Sequence, residues 1–75
     1  MAPGLLEMTM TAVQTCRERW QEVRWHIKGA YEAGAPEVEL AEALSFTMFP
    51  GSVPNFVEAC AVWQQMIRAG EVAAS

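Results

Sequence analysis

The chain has 75 residues, which is the length of one domain, and we expect that domain to span residues 1–75. Nine acidic and five basic side chains give a net charge of −4. Because nucleic-acid binding calls for the opposite sign, the charge argues against a nucleic-acid partner.

Apolar residues are abundant for so short a chain: 52% of the sequence, including three Trp, three Phe and five Met. A domain of this size buries only ~60% of the surface that its unfolded chain exposes. Excess apolar surface usually marks a subunit interface, so we expect a homo-oligomer, a trimer or hexamer.

Several features bear on location and metals. The first thirteen residues have no basic region, and Glu7 interrupts their apolar run, so we expect neither a signal peptide nor a membrane span.

Cys16 and Cys60 lie far apart without a CxxC spacing, and one histidine leaves too few ligands for zinc. We expect buried thiols in a cytoplasmic protein that holds no metal.

The first half of the chain predicts two helices. Helix one covers about residues 4–15, directly after Pro3, and helix two covers about residues 17–33, with Gly34 as its C-terminal stop. Helix two has one apolar stripe, formed by Val23, Ile27, Ala30 and Tyr31. Residues 13–20 contain no helix breaker, so the two could also be one continuous helix.

The second half predicts two more helices. The third begins at Pro36 and buries Leu40, Ala41, Leu44 and Met48. The turn at residues 49–54 precedes a fourth helix, which begins near Pro54 and ends at Arg68. Its apolar stripe is formed by Phe56, Cys60, Trp63 and Ile67. The tail that follows should fray. Short links make neighbouring helices antiparallel, so the predicted fold is all-α, a small antiparallel helical bundle.

Two polar residues stand out as candidate working groups. His26, the only histidine, lies on the polar face of helix two, with Glu22 one turn earlier and within reach of the imidazole. It could serve chemistry or be an ordinary surface residue. Glu7 lies between Leu6 and Met8, and a carboxylate in apolar surroundings could exchange protons near neutral pH; it could equally lie on an exposed helix face.

Four of the five basic residues lie within twelve positions around His26: Arg17, Arg19, Arg24 and Lys28. They could form a solvated face paired with Glu18 and Glu22, or they could line an anion-binding rim.

The run from His26 to Leu44, together with Glu7 nineteen residues before the histidine, resembles the carboxymuconolactone decarboxylase and alkylhydroperoxidase D superfamily. The matching positions are His26, Gly29, Ala30, Gly34, Glu39, Leu40, Glu42 and Ala43, and Gly51 with Pro54 resembles the family's G-x-P turn with one residue inserted. The resemblance covers about residues 5–68. Family domains commonly carry further helices before the glutamate. Here only six residues precede Glu7, so the domain looks shortened at its N-terminus. Another subunit could supply that pocket wall, or the shortened chain could have lost activity or act as a small subunit.

The same resemblance separates the two chemistries of the superfamily. Peroxidase members carry a CxxC that ends four residues before the histidine, and here those positions are Arg19 and Glu22. The decarboxylase branch tends to show E-L-R-x-H, which residues 22–26 match as E-V-R-W-H. The resemblance therefore favours the decarboxylase branch.

As the resemblance implies, the chain would be a carboxy-lyase that uses no metal or organic cofactor and acts on a small unsaturated lactone or related cyclic acid, in aromatic catabolism. His26 would be the acid or oxyanion partner, and Glu7 its proton relay. Charge and proximity add Arg24 and Arg19 as partners for a substrate carboxylate, with Trp25 and Glu22 beside them. The alternatives are a non-catalytic or accessory oligomeric member and, less favoured, a thiol peroxidase.

Overall fold

The computed structural model describes residues 1–74, and within them the chain is all-helical, without strands, as the sequence predicts. The elements are α1 (Pro3–Cys16), α2 (Trp20–Glu32), α3 (Glu37–Ser45), a 3₁₀ turn (Phe46–Met48) and α4 (Val53–Arg68). The closest pairing is between α1 and α2, α3 packs on α1, and α4 packs across α2 and the 3₁₀ turn. No helix in this part of the chain has the length and apolar character needed to cross a membrane.

Helices one and two are separate, because the chain reverses at Glu18 in the left-handed region (φ 59°). The Glu18 N–H donates to the Thr15 carbonyl and the Arg19 N–H to the Gln14 carbonyl, the two bonds of a Schellman motif. Gly34 and Gly70 occupy the same position after α2 and α4, with positive φ. Glycine marks this position in a sequence and glutamate does not, so the first stop is invisible without the structure.

The core joins α1, α2, α3, α4 and the segment after α4. Its buried apolar side chains are Met8, Val23, Ile27, Ala30, Leu40, Val62, Met66 and Val72. The stripe predicted for α2 is confirmed, with Tyr31 at its half-buried edge. In α3 the prediction holds for Leu40 and Leu44 and fails for Ala41, which is exposed. Met48, also predicted on this side, lies beyond α3 in the 3₁₀ turn and is half-buried.

The buried face of α4 is centred on Ala59, Val62 and Met66, so the prediction for this helix was one position off. The four residues predicted there, Phe56, Cys60, Trp63 and Ile67, are half-buried at its edges. Apolar residues cover most of the circumference of α4, so the helical period alone does not locate the centre of its buried face. Cys16 is also only half-buried, which corrects the expectation of buried thiols.

The segment after α4 is packed against the bundle, which corrects the prediction of a frayed tail. Val72 is only 7% exposed and lies in the core. Glu71 forms an ion pair with Arg24 of α2. The left-handed Gly70 turns the chain back towards α2 and makes both contacts possible.

A hydrogen-bonded chain of three side chains joins α2, α3 and α4. Trp63 Nε1 donates to Tyr31 Oη at 2.8 Å, and Tyr31 Oη donates to Glu37 at the start of α3. Burial, and then the hydrogen bond to Glu37, raise the pKa of Tyr31 above its ordinary value. The neutral phenol is therefore the form that the fold favours.

Glu18→Gly should stabilise the protein by about 0.5–1 kcal/mol, because glycine adopts a positive φ without the steric cost that a side chain brings. Urea unfolding would measure the change. Glu18→Ala is the matched control, since alanine removes the charge but keeps the Cβ atom. Equal stability of the two variants would contradict a left-handed residue 18.

Tyr31→Phe should cost about 1–2 kcal/mol at pH 8, because the variant removes one partner from both Trp63 and Glu37. The contribution of Tyr31 is fully present below its unfolded pKa of about 10 and is lost as pH rises through the higher folded pKa. The gap between wild type and Tyr31→Phe, measured by urea unfolding, should therefore shrink above pH 10. Burial also raises the pKa of Cys60, which affects both proteins and cancels in the difference. A gap that is constant with pH would contradict this account.

Candidate functional site

The antiparallel packing of α1 on α2 brings the two candidate working groups together. His26 Nδ1 lies 2.7 Å from Glu7 Oε1, although nineteen residues separate them in the chain. The imidazole side chain is 27% exposed and the carboxylate side chain 29% exposed. The pair is thus partly shielded by protein and still open to a small molecule.

The contact fixes how the imidazole carries its protons. An ionised carboxylate can only accept hydrogen bonds, so Nδ1 must hold a hydrogen and donate it to Glu7. Nε2 is then the nitrogen left to give or take a proton. A carboxylate on the far side of the ring also stabilises the imidazolium when Nε2 is protonated.

Gly29 makes room for the Glu7 carboxylate against α2. A Cβ atom at residue 29 would lie 2.6 Å from Glu7 Cδ and 2.8 Å and 2.9 Å from the two carboxylate oxygens. Glycine inside a helix costs about 1 kcal/mol relative to alanine. Its presence one turn after His26 is explained by this close approach.

Three of the other predicted residues share a shallow surface groove of about 300 Å³ at the start of α2: Arg19, Glu22 and Trp25. Arg19 Nε lies 2.6 Å from Glu22 Oε2. The contact expected between Glu22 and His26 is therefore replaced by two separate pairs, Arg19 with Glu22 and His26 with Glu7. The indole of Trp25 is mostly exposed.

Arg24 lies on a different side of α2 from His26. Two positions along a helix turn the side chain through about 200°, so neighbours at that spacing do not face each other. Arg24 forms its ion pair with Glu71, beyond α4. The basic cluster is thus divided: Arg19 and Arg24 are paired with carboxylates, whereas Arg17 and Lys28 have no ion-pair partner among residues 1–74.

Within residues 1–74 there is no group of three or more His, Cys, Asp or Glu side chains placed to hold a metal ion. The polar chemistry of the site rests on the carboxylate and the imidazole.

Residues 3–65 match the sequence model of the carboxymuconolactone decarboxylase family, a stretch that includes Glu7, Gly29 and His26. The chain belongs to this family. Comparisons with curated proteins and with solved structures found no match. The carboxymuconolactone decarboxylase family includes decarboxylases and peroxidases, so membership alone does not choose between those activities.

The two cysteines of this family member are both free, and they lie on different helices, Cys16 on α1 and Cys60 on α4. Cys16 lines a groove between α1 and α3, on a side of α1 that Glu7 does not share. Burial raises the pKa of the Cys60 thiol, which disfavours the thiolate that peroxide reduction requires. Neither sulfur is bonded to the His26 side chain.

Sequence reasoning missed two contributors. Gly29 was identified only as a position that matches the family, and its contribution is the room that it leaves for the Glu7 carboxylate. A glycine in a helix interior was the available signal. Glu71 lies beyond the family match, in a segment expected to fray, and nothing in its sequence context predicted the pair with Arg24.

Gly29→Ala should separate Glu7 from His26 while leaving the fold intact, because the added methyl group displaces only the end of a flexible side chain. The helix itself should gain up to about 1 kcal/mol. Imidazole ¹⁵N spectra of this single-histidine protein should show an Nδ1–H tautomer in wild type and a tautomer mixture in the variant.

Gly4→Ala is the matched control, since a Cβ atom at residue 4 comes no closer than 3.4 Å to any neighbour. An unchanged imidazole spectrum in Gly29→Ala would contradict the packing of the Glu7 carboxylate against residue 29.

Proposed function

We propose that the chain is a cofactor-free decarboxylase of a small unsaturated lactone or a related cyclic carboxylic acid. The observation that carries the proposal is the 2.7 Å contact between Glu7 Oε1 and His26 Nδ1, within the stretch matched by the family. A purely structural module has no need for a partly exposed carboxylate–imidazole pair, whereas such a pair suits a proton-transfer site.

The reaction breaks the bond between the γ-carbon of the lactone and its carboxylate. Carbon dioxide leaves, and the electron pair spreads through the ring double bond into the lactone carbonyl, forming a dienolate. His26 Nε2–H stabilises the charge on the dienolate oxygen or delivers its proton to carbon, and Glu7 holds the imidazole and stabilises its cation. Solvent then restores the proton.

Arg19 is the better placed of the two candidate arginines to hold a second carboxylate of the substrate. It is the N-cap residue of α2, seven residues before His26, and it shares the groove at the start of the helix with Glu22 and Trp25. Its Nε makes the ion pair with Glu22, which leaves the terminal amines for a ligand. Trp25 would contribute an apolar wall beside them. Arg24, bound to Glu71 on another side of α2, would contribute only after losing that pair.

Thiol peroxidase chemistry fits the site less well. The positions at which peroxidase members keep their cysteines are Arg19 and Glu22, and these two side chains are paired with each other. The free thiols lie on other helices, and the raised pKa of Cys60 opposes thiolate formation.

Wild-type protein should release CO₂ from at least one member of a panel of unsaturated lactone acids. His26→Ala should lower kcat by about 10²–10⁴-fold, the usual contribution of a positioned proton donor. Glu7→Gln should lower it substantially too, because an amide can donate to Nδ1 and so favour the wrong tautomer.

Glu58→Gln, on an exposed position of α4, is the control matched to Glu7→Gln and should keep wild-type turnover. Turnover that survives both His26→Ala and Glu7→Gln would refute the site. No turnover on any lactone would refute the decarboxylase proposal and favour an accessory family member.

A further inference from the structure

A second surface lies on the other side of α1 from Glu7. It is a groove between α1 and α3, called here the α1–α3 groove, with two adjoining halves of about 360 Å³ and 500 Å³. Both halves are lined by Ala12, Val13, Ala43 and Phe46. Ala12 follows Glu7 by five positions, about 140° around the helix axis. The groove and the Glu7–His26 pair therefore do not compete for a ligand.

Large apolar side chains stand exposed along this groove. Phe46, which lines both halves, is 68% exposed. Leu5 and Val13 are exposed on the α1 side. A contiguous apolar surface of this kind on a small acidic chain is typical of a protein interface.

The charges at the two ends of the α1–α3 groove have opposite signs. Glu39 and Glu42 line the half that contains Leu5, and Arg17 lines the half that contains Pro50. None of the three charged side chains has an ion-pair partner among residues 1–74. The two halves share Ala12, Val13, Ala43 and Phe46, so the two glutamates and Arg17 lie on opposite sides of the middle of the groove.

We infer that the α1–α3 groove is the contact surface for a second copy of this chain, related to the first by a two-fold axis. In a two-fold contact the same surface meets itself reversed, so whatever lies at one end faces the other end of the partner. Arg17 of each copy then faces the Glu39–Glu42 pair of the other. Val13 and Phe46, between the charged ends, pack near the axis.

The charge pattern is what selects a second copy rather than an unrelated protein. Two chains of net charge −4 repel each other, so self-association requires local attraction. An apolar strip with opposite charges at its two ends supplies that attraction only in the reversed orientation. Each cross-copy contact occurs twice, so a single substitution acts twice on the assembly.

Charge exchange tests the two-fold arrangement directly. Arg17→Glu and the double variant Glu39→Arg/Glu42→Arg should each raise the dissociation constant of the assembly at least about tenfold, measured by sedimentation velocity on the full chain. An equimolar mixture of these two proteins should associate again, because every cross-copy contact in the mixed pair joins opposite charges.

Two matched controls separate the groove from general effects. Arg68→Glu changes the net charge by the same amount as Arg17→Glu, at an exposed position at the end of α4, and should leave association unchanged. Phe46→Asp should weaken association at least about tenfold. Val57→Asp replaces an apolar residue of comparable exposure on α4 and should not weaken it.

Far-ultraviolet circular dichroism of each variant confirms that the helices persist. The inference is overturned by a wild-type chain that sediments as a monomer, by a closed trimer, by equal effects of Arg17→Glu and Arg68→Glu, or by a mixture that stays dissociated. A dimer, or a hexamer built from dimers, supports it. His26→Ala and Glu7→Gln should keep the wild-type assembly whatever their activity, because both residues lie on another flank.

Discussion

The packing of α1 against α2 is the constraint on which the rest of the structure depends. The chain reverses at Glu18 in a left-handed conformation, and the two helices then lie antiparallel along their length. That reversal aligns residue 7 with residue 26 and brings their side chains to 2.7 Å. Thr11 on α1 and Ile27 on α2 are both fully buried.

The two flanks of α1 have different properties, and this division organises the molecule. One flank carries Glu7, faces α2 and places a carboxylate against the only position of the helix that has no Cβ atom. The other flank faces α3 across an apolar groove, with Glu39 and Glu42 of α3 at one end and Arg17 at the other. A single helix therefore contributes to the proposed proton-transfer site with one face and to the proposed subunit contact with another, so polar and apolar side chains stay on separate faces.

A domain of this size has few residues to spare, and the segment after α4 shows how the core is completed. Val72 enters the core after the left-handed turn at Gly70, and Glu71 reaches Arg24 on α2. The Tyr31–Glu37–Trp63 chain joins the same helix to α3 and α4. Helix α2 is thus held along one side by structural contacts, while the opposite side presents His26. Rigid support of this kind keeps the imidazole oriented without direct bonds to those residues.

The sequence by itself determined the helical fold, the stop at Gly34, the buried stripe of α2 and the family resemblance, because these follow from periodicity, glycine and spacing along the chain. It could not determine the break at Glu18, since glutamate is not a stop signal, nor the centre of the buried face of α4, since most of that helix is apolar. The sequence also could not predict which charged side chains form ion pairs. Glu22 is the nearest acidic neighbour of His26 along the helix, yet it pairs with Arg19. The family resemblance linked Glu7 to His26, but only tertiary packing decided their direct contact, because that contact depends on how two helices align and on the space that Gly29 leaves between them.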